Sequence, residues 1–352
     1  MKQPSQKSNA KPKQPRTVSA AERLDALSRA SVWQTPPPIG TASFADDPAQ
    51  PREISCAFEI TQLHGTAPKF DCRLPDGDRI RVKYGSSPEV PAEVASSRLL
   101  HALGFGADNV LLFDKVRCYG CPAEPFVTMK TLGFAGVEKL YGTVMDPKEH
   151  QDFEWAAVER RYDGRAIETN DIEGWAFFEL ALIDPAKGGA PRAHVDALRL
   201  LAVFIAHWDN KSENQRLVCP SDQDWPEGGT CARPFAMLQD VGAAWGPRKV
   251  DLEGWSKAPI WSDRATCTAS METLPYHGAT FKPVRISEAG RQHLGGLLTQ
   301  LSDRQIDELF RGARFDHSTG LIGGIKATPI QEWVAAFKAR VAQITEGPSC
   351  PQ

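Results

Sequence analysis

The chain has 352 residues, 41% of them hydrophobic and 24% charged, which is ordinary for a globular protein and long enough for a fold with two lobes. Its formal net charge is −3, so no strong positive field attracts nucleic acid or an anionic membrane surface, and nucleic acid is not an expected partner. No apolar run approaches the roughly 18 residues of a membrane-spanning helix, so no transmembrane segment is expected.

Residues 1–20 are rich in Lys, Gln, Pro and Ser, a composition typical of a disordered basic tail. No apolar run follows the basic residues, so no secretory signal is visible and a cytoplasmic location is expected. Residues 21–53 are expected to begin as a short helix that reaches residue 31 and to continue as a proline-containing extended connector.

Residues 54–135 have the pattern of a small lobe with the element order β-β-β-α-β-β. The run Pro75-Asp76-Gly77-Asp78 predicts a hairpin turn between the second and third strands. A helix that ends at a glycine is predicted at residues 92–104. The predicted strands cover residues 54–61, 70–74, 79–84, 109–118 and 126–132.

Residues 136–347 are expected to form a mainly helical lobe, after an irregular stretch that ends near residue 168. Ser302 and Gln305 have the spacing of a helix capping box. The expected fold class is therefore α+β, with a small antiparallel β-sheet and one helix in the first lobe and mostly helices in the second. Apolar residues at helical spacing predict helices at residues 172–183, 194–207, 286–301, 302–312 and 328–344.

The strongest functional signal lies at residues 207–214, with the sequence HWDNKSEN, and at residues 240–242, with the sequence DVG. Each segment follows an apolar run, at residues 200–206 and 235–238. Phosphoryl transfer needs a carboxylate at the attacking hydroxyl, a cation at the moving phosphoryl group and oxygen ligands for Mg²⁺. Asp209 can supply the carboxylate and Lys211 the cation, and the metal ligands can be Asn214 and Asp240.

Two features earlier in the chain can bind the phosphates of a nucleotide. Lys83 lies in the predicted strand 79–84, and Glu93, near the start of the next helix, is the preferred partner of its ammonium group, with Glu89 as the alternative. The loop before these strands contains Gly65 and Thr66, whose backbone N–H groups can face a phosphate.

The order of these features resembles that of the protein-kinase-like superfamily over roughly residues 54–247. The single glycine in the phosphate loop, the short link between Lys83 and Glu93, and Val241 in place of phenylalanine are similar to atypical branches of that superfamily. The sequence does not distinguish among three such branches: HipA-type bacterial kinases, phosphoinositide-kinase-like proteins and secretory-pathway kinases. In the segment 207–214, five of the eight residues match the usual eukaryotic kinase loop: His207, Asp209, Lys211, Glu213 and Asn214.

The resemblance implies a two-lobed kinase-like fold with ATP and Mg²⁺ bound between the lobes. Lys83, oriented by Glu93, would hold the α- and β-phosphates, and Asp209 would accept the proton of the acceptor hydroxyl. Asn214 and Asp240 would bind the metal ion. The resemblance leaves the acceptor open among a protein, a lipid and a small molecule.

Two other functions stay open. A catalytically inactive pseudokinase that binds nucleotide or protein would agree with the sparse phosphate loop. A metal-dependent hydrolase could use His207, Asp209 and Asp240 without a nucleotide donor, but it would leave Lys83 and Lys211 without a role.

The state of the cysteines is open from the sequence. Cys118 and Cys121 have the spacing of a zinc knuckle or a redox pair, and Cys219 and Cys231 bracket a polar loop. These four cysteines can be ligands of a zinc ion, disulfides or free thiols. The zinc site is the least favoured of the three. Disulfides would agree with an exported form. The eight cysteines are at positions 56, 72, 118, 121, 219, 231, 267 and 350.

Overall fold

The computed structural model describes residues 17–45, 51–162, 164–226, 229–275, 279–317 and 327–351, and it has the mixed α+β class that the sequence predicts. Residues 1–16 of the expected disordered tail, which was predicted to reach residue 20, lie outside the described residues. Helix α1 (Ala20–Ser28) starts at a capping box between Ser19 and Glu22. The segment after it is more than a connector, because the side chains of Ala30 and Val32 are fully buried in the main core.

The first part of the fold is a five-stranded sheet that closes on itself in the order β1-β2-β3-β5-β4, with β4 paired back to β1. The β1–β4 pair runs parallel, so the expectation of a purely antiparallel sheet is wrong. An odd number of strands cannot close into a ring with every neighbour antiparallel, so one parallel pair is unavoidable. The strands are β1 (Glu53–Glu59), β2 (Lys69–Arg73), β3 (Arg79–Lys83), β4 (Asn109–Tyr119) and β5 (His150–Arg160).

Alternation along β2 and β3 separates an apolar face from a charged face. Phe70 and Val82 point into the apolar interior of the closed sheet, where they are fully buried. Successive side chains of a strand point to opposite faces, so Lys69 and Lys83 lie on the outer face. These two lysines are directly opposite each other in the β2–β3 register. The charged face of the sheet is therefore available to build a site.

Helix α2 (Glu89–Ala102) follows β3, as the sequence predicts, but it begins three residues earlier than residue 92. Pro91 lies in its first turn, where a backbone N–H has no intrahelical acceptor to lose. The predicted glycine stop is confirmed at Gly104, which has φ +84°. A Cβ at this position would lie 2.1 Å from the carbonyl oxygen of Gln34, so only glycine fits.

The strand predicted at residues 126–132 is wrong, because these residues form part of helix α3 (Pro125–Leu140). Pro125 occupies the first turn, where its fixed φ favours a helix start. The aromatic and β-branched residues at 126–128 favour a strand only weakly, and local context overrides them. This helix is also a second one in the first part of the chain, where the sequence analysis expected one.

Strand β5 was missed and falls beyond residue 135, in the stretch expected to be irregular. Trp155 has φ +50°, and the β4–β5 register passes from Phe113↔Ala156 to Lys115↔Glu154 around it. This irregularity breaks the period-two pattern that identifies a strand from its sequence.

The helix predicted at residues 172–183 is wrong except for a short 3₁₀ turn at Phe177–Leu182. Gly174 has φ +65°, and a Cβ there would lie 2.1 Å from the carbonyl oxygen of Ser212. Trp175 then donates a 3.0 Å hydrogen bond to the carbonyl oxygen of Arg216. This stretch is therefore shaped by its contact with residues 212–216 and not by local helix propensity.

The second part of the fold surrounds a three-stranded sheet of β6 (Arg165–Ala166), β7 (Gln215–Cys219) and β8 (Phe235–Leu238). The helices predicted at 194–207, 286–301, 302–312 and 328–344 are confirmed as α4, α6, α7 and α8, and Ser302 with Gln305 forms the predicted capping box. The remaining bounds are α4 (Arg192–Phe204), α5 (Leu252–Lys257), β9 (Thr268–Ala269), β10 (Val284–Arg285), α6 (Glu288–Leu298), α7 (Asp303–Gly312) and α8 (Ile330–Thr345).

All eight cysteines form disulfides, and the pairs are Cys56–Cys72, Cys118–Cys121, Cys219–Cys231 and Cys267–Cys350. The zinc site considered for the second and third pairs does not form. Four disulfides are typical of proteins from oxidising compartments, so the cytoplasmic location is not confirmed. Among the described residues, no helix is both long and apolar enough to cross a lipid bilayer.

Arg340 of α8 fixes the end of the helix that leads into residues 207–214. Its fully buried guanidinium donates to the carbonyl oxygens of Val203 and Phe204, the last residues of α4, at 3.1 Å. It also donates to the carbonyl oxygens of Trp255 at 2.7 Å and Ala258 at 2.6 Å. A cation at a helix C-terminus compensates the unpaired carbonyls there.

We expect Arg340→Met to lower the free energy of unfolding by about 3 kcal/mol, because it leaves several buried carbonyl oxygens without a donor. Urea denaturation followed by circular dichroism measures this. Arg340→Lys keeps the charge but reaches fewer carbonyls, so its loss should be intermediate. A methionine variant as stable as the wild type would contradict this role.

Candidate functional site

A buried ion pair joins β3 to α2. Lys83 Nζ lies 2.7 Å from Glu93 Oε1, and the two side chains are 2% and 0% exposed. The structure therefore pairs Lys83 with Glu93, whereas Glu89 forms an ion pair with Lys249. Lys83 Nζ also lies 3.4 Å from Asp240 Oδ1 and 3.8 Å from Glu159 Oε2. Three carboxylates thus surround one ammonium group.

These carboxylates determine the charge of Lys83. Burial opposes the charged form, but the negative charges of Asp240, Glu93 and Glu159 raise the pKa of Lys83 well above its ordinary value. The ammonium group stays protonated at physiological pH, and it links β3, α2 and the residues after β8.

Residues 205–214 leave α4 through a backbone turn that the surrounding chain imposes. Ala206 has φ +57°, a left-handed conformation that costs a residue with a Cβ on the order of 1 kcal/mol. The backbone N–H of Trp245 donates to the carbonyl oxygen of Ile205 at 2.7 Å, and that of Trp208 donates to Ala243 at 3.2 Å. The segment after Asp240 is therefore held directly against the start of the 207–214 segment.

Asn210 anchors the middle of this segment, a role that the sequence analysis missed. Its side chain is fully buried, and its Oδ1 accepts hydrogen bonds from the backbone N–H groups of Thr280 at 2.8 Å and Phe281 at 2.9 Å. Its Nδ2 donates to the carbonyl oxygen of His207 at 2.9 Å. The two contacts of Oδ1 come from residues 70 and 71 positions away in the chain, so no local pattern could reveal them.

Asn214 and Asp240 are brought side by side by the backbone. The N–H groups of Gln239 and Asp240 donate to the carbonyl oxygen of Asn214 at 2.9 and 3.2 Å. The Nδ2 of Asn214 donates to the carbonyl oxygen of Asp209 at 2.5 Å, and its Oδ1 has no hydrogen bond within the part of the chain that the structure describes.

The two aspartates of the site have opposite pKa shifts. Burial raises the pKa of Asp209, and the negative charge of Asp240 adds to this while Lys211 opposes it. For Asp240, burial acts in the same direction, but Lys83 and Lys69 hold its pKa well below the ordinary value. Asp240 is therefore ionised across the physiological range. Asp209 is the more basic carboxylate, as a proton acceptor requires.

An open cleft of about 950 Å³ lies between the charged face of the closed sheet and residues 211–214 and 239–240. Its size agrees with that of a nucleotide-sized ligand site. Of the eight residues predicted for the site, Gly65, Lys211, Asn214 and Asp240 line this cleft. Lys211 lies at its rim, with Nζ 3.7 Å from Glu213 Oε1. The other four predicted residues do not line the cleft. Lys83 and Glu93 are buried next to Asp240. Asp209 is half-buried, and Thr66 is exposed.

Lys69 is a cleft residue that the sequence analysis missed. It is 8% exposed, and among the described residues its ammonium group has no side-chain hydrogen bond or ion pair. A Cβ built on Gly65 would lie 3.2 Å from Lys69 Nζ, so the ammonium group lies directly beneath that turn. Burial lowers the pKa of Lys69, and the neighbouring positive charge of Lys83 lowers it further. The cleft therefore contains an ammonium group that forms no direct ion pair among the described residues, although the negative charge of Asp240 partly compensates it.

The residues present agree with a hard divalent cation such as Mg²⁺. Asp240 supplies an ionised carboxylate and Asn214 a free amide oxygen, and oxygen ligands of this kind are the ones Mg²⁺ prefers. Asp209 Oδ1 is buried without a hydrogen-bond partner among the described residues, which leaves an acceptor beside the same position.

Comparison with known proteins adds a distant structural likeness. No family model and no curated protein matches the chain. Among solved structures, it is similar to the Helicobacter pylori proinflammatory kinase CtkA, at 9% sequence identity and a TM-score of 0.43, over 86% of this chain and 95% of that one. Similarity at this level does not establish a function, so the proposed function depends on the geometry of the cleft.

We expect Lys69→Met to have opposite effects on stability and on anion binding. The pKa of Lys69 is lower in the folded than in the unfolded chain, so its charge destabilises the fold at neutral pH. Its removal should raise the free energy of unfolding by about 1 kcal/mol. It should also weaken the binding of inorganic tripolyphosphate at least about tenfold.

Urea denaturation and isothermal titration calorimetry measure the two effects. Lys115→Met is the matched control, because Lys115 lies on β4 outside the cleft lining and pairs with Glu53 at 3.2 Å on the surface. This control should change neither quantity much. Unchanged tripolyphosphate binding by Lys69→Met would show that Lys69 does not serve the cleft.

Proposed function

We propose that the protein is an atypical kinase-like phosphotransferase that uses ATP and Mg²⁺ to transfer the γ-phosphoryl group to a hydroxyl acceptor. The proposal includes a two-lobed division, with the cleft between a first lobe that starts at residue 54 and a mainly helical second lobe that reaches residue 347. The first lobe extends past residue 135 because β5 completes its sheet.

One observation carries this proposal: Lys83, Glu93 and Asp240 meet within hydrogen-bonding distance although 157 positions separate the first residue from the last. The Lys83–Glu93 pair comes from a strand and the helix that follows it, and Asp240 follows β8 beside Asn214. Kinase-type phosphoryl transfer requires these groups in these relative positions.

The roles of the residues follow from their charge and position. Lys83 would bind the α- and β-phosphates with Glu93 holding it in place, while Gly65, Thr66 and Lys69 would cover the phosphate chain. Bound Mg²⁺ would neutralise charge on the phosphates.

On the other side of the cleft, Asp209 would accept the proton of the acceptor hydroxyl, as its raised pKa favours. Lys211 would stabilise the negative charge that develops on the moving phosphoryl group. Asn214 and Asp240 would hold the metal ion. The acceptor can be a protein, a lipid or a small molecule.

The pseudokinase is the second candidate, and the phosphate loop favours it. Gly65 is its only glycine, and Pro68 lacks a backbone N–H, so this loop offers fewer donors to phosphate than a glycine-rich one. A thermal-shift experiment with ATP and Mg²⁺, together with an autophosphorylation assay, separates the two functions. Stabilisation without phosphoryl transfer would favour the pseudokinase.

The metal-dependent hydrolase has less support. His207 is fully buried and is absent from the cleft lining. Burial lowers its pKa to about 4, and its Nε2 lies 3.3 Å from the side chain of Gln215. A ring in this position cannot reach a substrate in the cleft.

We expect Asp240→Ala to reduce phosphoryl transfer about 1,000-fold or more, equivalent to about 4 kcal/mol, because it removes an ionised metal ligand. The fold should persist, because Lys83 keeps Glu93 and Glu159 as partners. Transfer from radiolabelled ATP to the protein itself or to a generic acceptor measures the effect.

The matched control is Asp171→Ala, which removes a carboxylate from the rim of the same cleft and leaves Lys83 untouched. This control should retain most of the turnover. Equal turnover of Asp240→Ala and wild type would defeat the assignment of Asp240.

A further inference from the structure

Three cysteine sulfurs lie together in the interior of the closed sheet, and a fourth is bonded to one of them. Cys56 is on β1, Cys72 on β2 and Cys118 on β4, while Cys121 follows in the turn after β4. They form two disulfides, and these disulfides touch, because Cys72 Sγ lies 3.8 Å from Cys118 Sγ. All four residues are buried, with exposures of 3%, 0%, 0% and 8%.

The spacing between the two disulfides is that of a tetrahedral zinc site. Zinc–thiolate bonds of about 2.3 Å place the sulfurs of a four-cysteine site about 3.8 Å apart. The sulfurs of Cys56, Cys72 and Cys118 lie within 4.8 Å of one another, and among the described residues they are the one group of three or more such ligands found this close together.

The backbone already holds these residues in place. Cys56 and Cys118 are direct partners in the parallel β1–β4 register. Cys118 and Cys121 have the two-residue separation of a zinc knuckle, and Gly120 between them has φ +73°, which a tight knuckle turn accommodates. Opening the two S–S bonds therefore frees three sulfurs that the strands already hold close together and a fourth, that of Cys121, on the adjacent turn.

We propose that Cys56, Cys72, Cys118 and Cys121 form a redox-dependent zinc site, with two disulfides in an oxidising compartment and four thiolate ligands after reduction. A dithiol reductant gives two electrons and two protons to each S–S bond and is itself oxidised to a disulfide, which leaves four thiols. One Zn²⁺ then binds as the four thiols release four protons. In the oxidised state one disulfide joins β1 to β2 and the other closes the turn after β4. In the reduced state a bound zinc ion would join β1, β2 and β4.

The other two disulfides provide an internal control. Cys219–Cys231 joins the end of β7 to the loop before β8, and Cys267–Cys350 joins the β9 region to the C-terminal segment. Among the described residues, neither pair belongs to a group of three or more His, Cys, Asp or Glu ligand atoms that lie within 4.8 Å of one another. Reduction of these pairs should therefore not create a four-sulfur site.

The site is tested on the full chain, reduced under nitrogen with a phosphine and then freed of the reductant. Titration with Co²⁺ should give one equivalent per chain with the visible and near-ultraviolet bands of tetrahedral thiolate coordination, and Zn²⁺ should displace it. Cys72→Ser should lose this spectrum. The double variant Cys219→Ser with Cys231→Ser should keep it unchanged.

Alkylation of the wild type gives a second readout that needs no variant. With Zn²⁺ bound, mass spectrometry should find Cys56, Cys72, Cys118 and Cys121 protected from iodoacetamide and the other four cysteines modified. Binding below one equivalent, a spectrum of another geometry, or protection of other cysteines would overturn the proposal. This result is independent of phosphoryl transfer, because no cleft residue takes part in it.

Discussion

The ammonium group of Lys83 is the point on which the site depends. A buried cation is costly unless carboxylates surround it, and here the compensating charges come from α2, β5 and the residues after β8. The pairing therefore requires that the closed sheet and the helical part of the chain come together in one arrangement. Removing Lys83 would leave these carboxylates without their common cation, whereas removing one carboxylate leaves Lys83 with the other two. The same constraint that stabilises this arrangement places an ionised Asp240 at the floor of the cleft.

Lys69 differs from Lys83 in its electrostatic surroundings. It lies opposite Lys83 on the adjacent strand, beneath the Gly65 turn, and forms no direct ion pair among the described residues, although the negative charge of Asp240 partly compensates it. Lys83 thus has three carboxylate neighbours, whereas Lys69 has no direct ion pair among the described residues. In the proposed phosphotransferase, Lys69 would add affinity for phosphate that the few backbone donors of the loop before β2 do not supply.

The sequence predicted the parts of the site that regular elements carry. Lys83 and Glu93 lie on a strand and a helix with clear periodicity, and Asp209, Asn214 and Asp240 follow apolar runs that form α4 and β8. Their convergence could be proposed from order along the chain, but the distances had to come from the structure.

The rest depends on contacts between distant segments. Lys69 becomes a buried cleft residue only because the Gly65 turn folds over it, and Asn210 is anchored by backbone groups from residues 280–281. The irregular residue Trp155 obscured β5, and the contact of Gly174 with Ser212 replaced a predicted helix by a short turn. The cysteine pairings were equally out of reach, because Cys56 and Cys118 meet through a parallel register that closes the sheet.

The most direct test is a crystal structure with a non-hydrolysable ATP analogue and Mn²⁺, in which anomalous scattering locates the metal ion. We expect Mn²⁺ bound by Asn214 and Asp240, with the phosphates of the analogue within hydrogen-bonding distance of Lys69 and Lys83. A metal ion or a triphosphate located away from these side chains would contradict the phosphotransferase account.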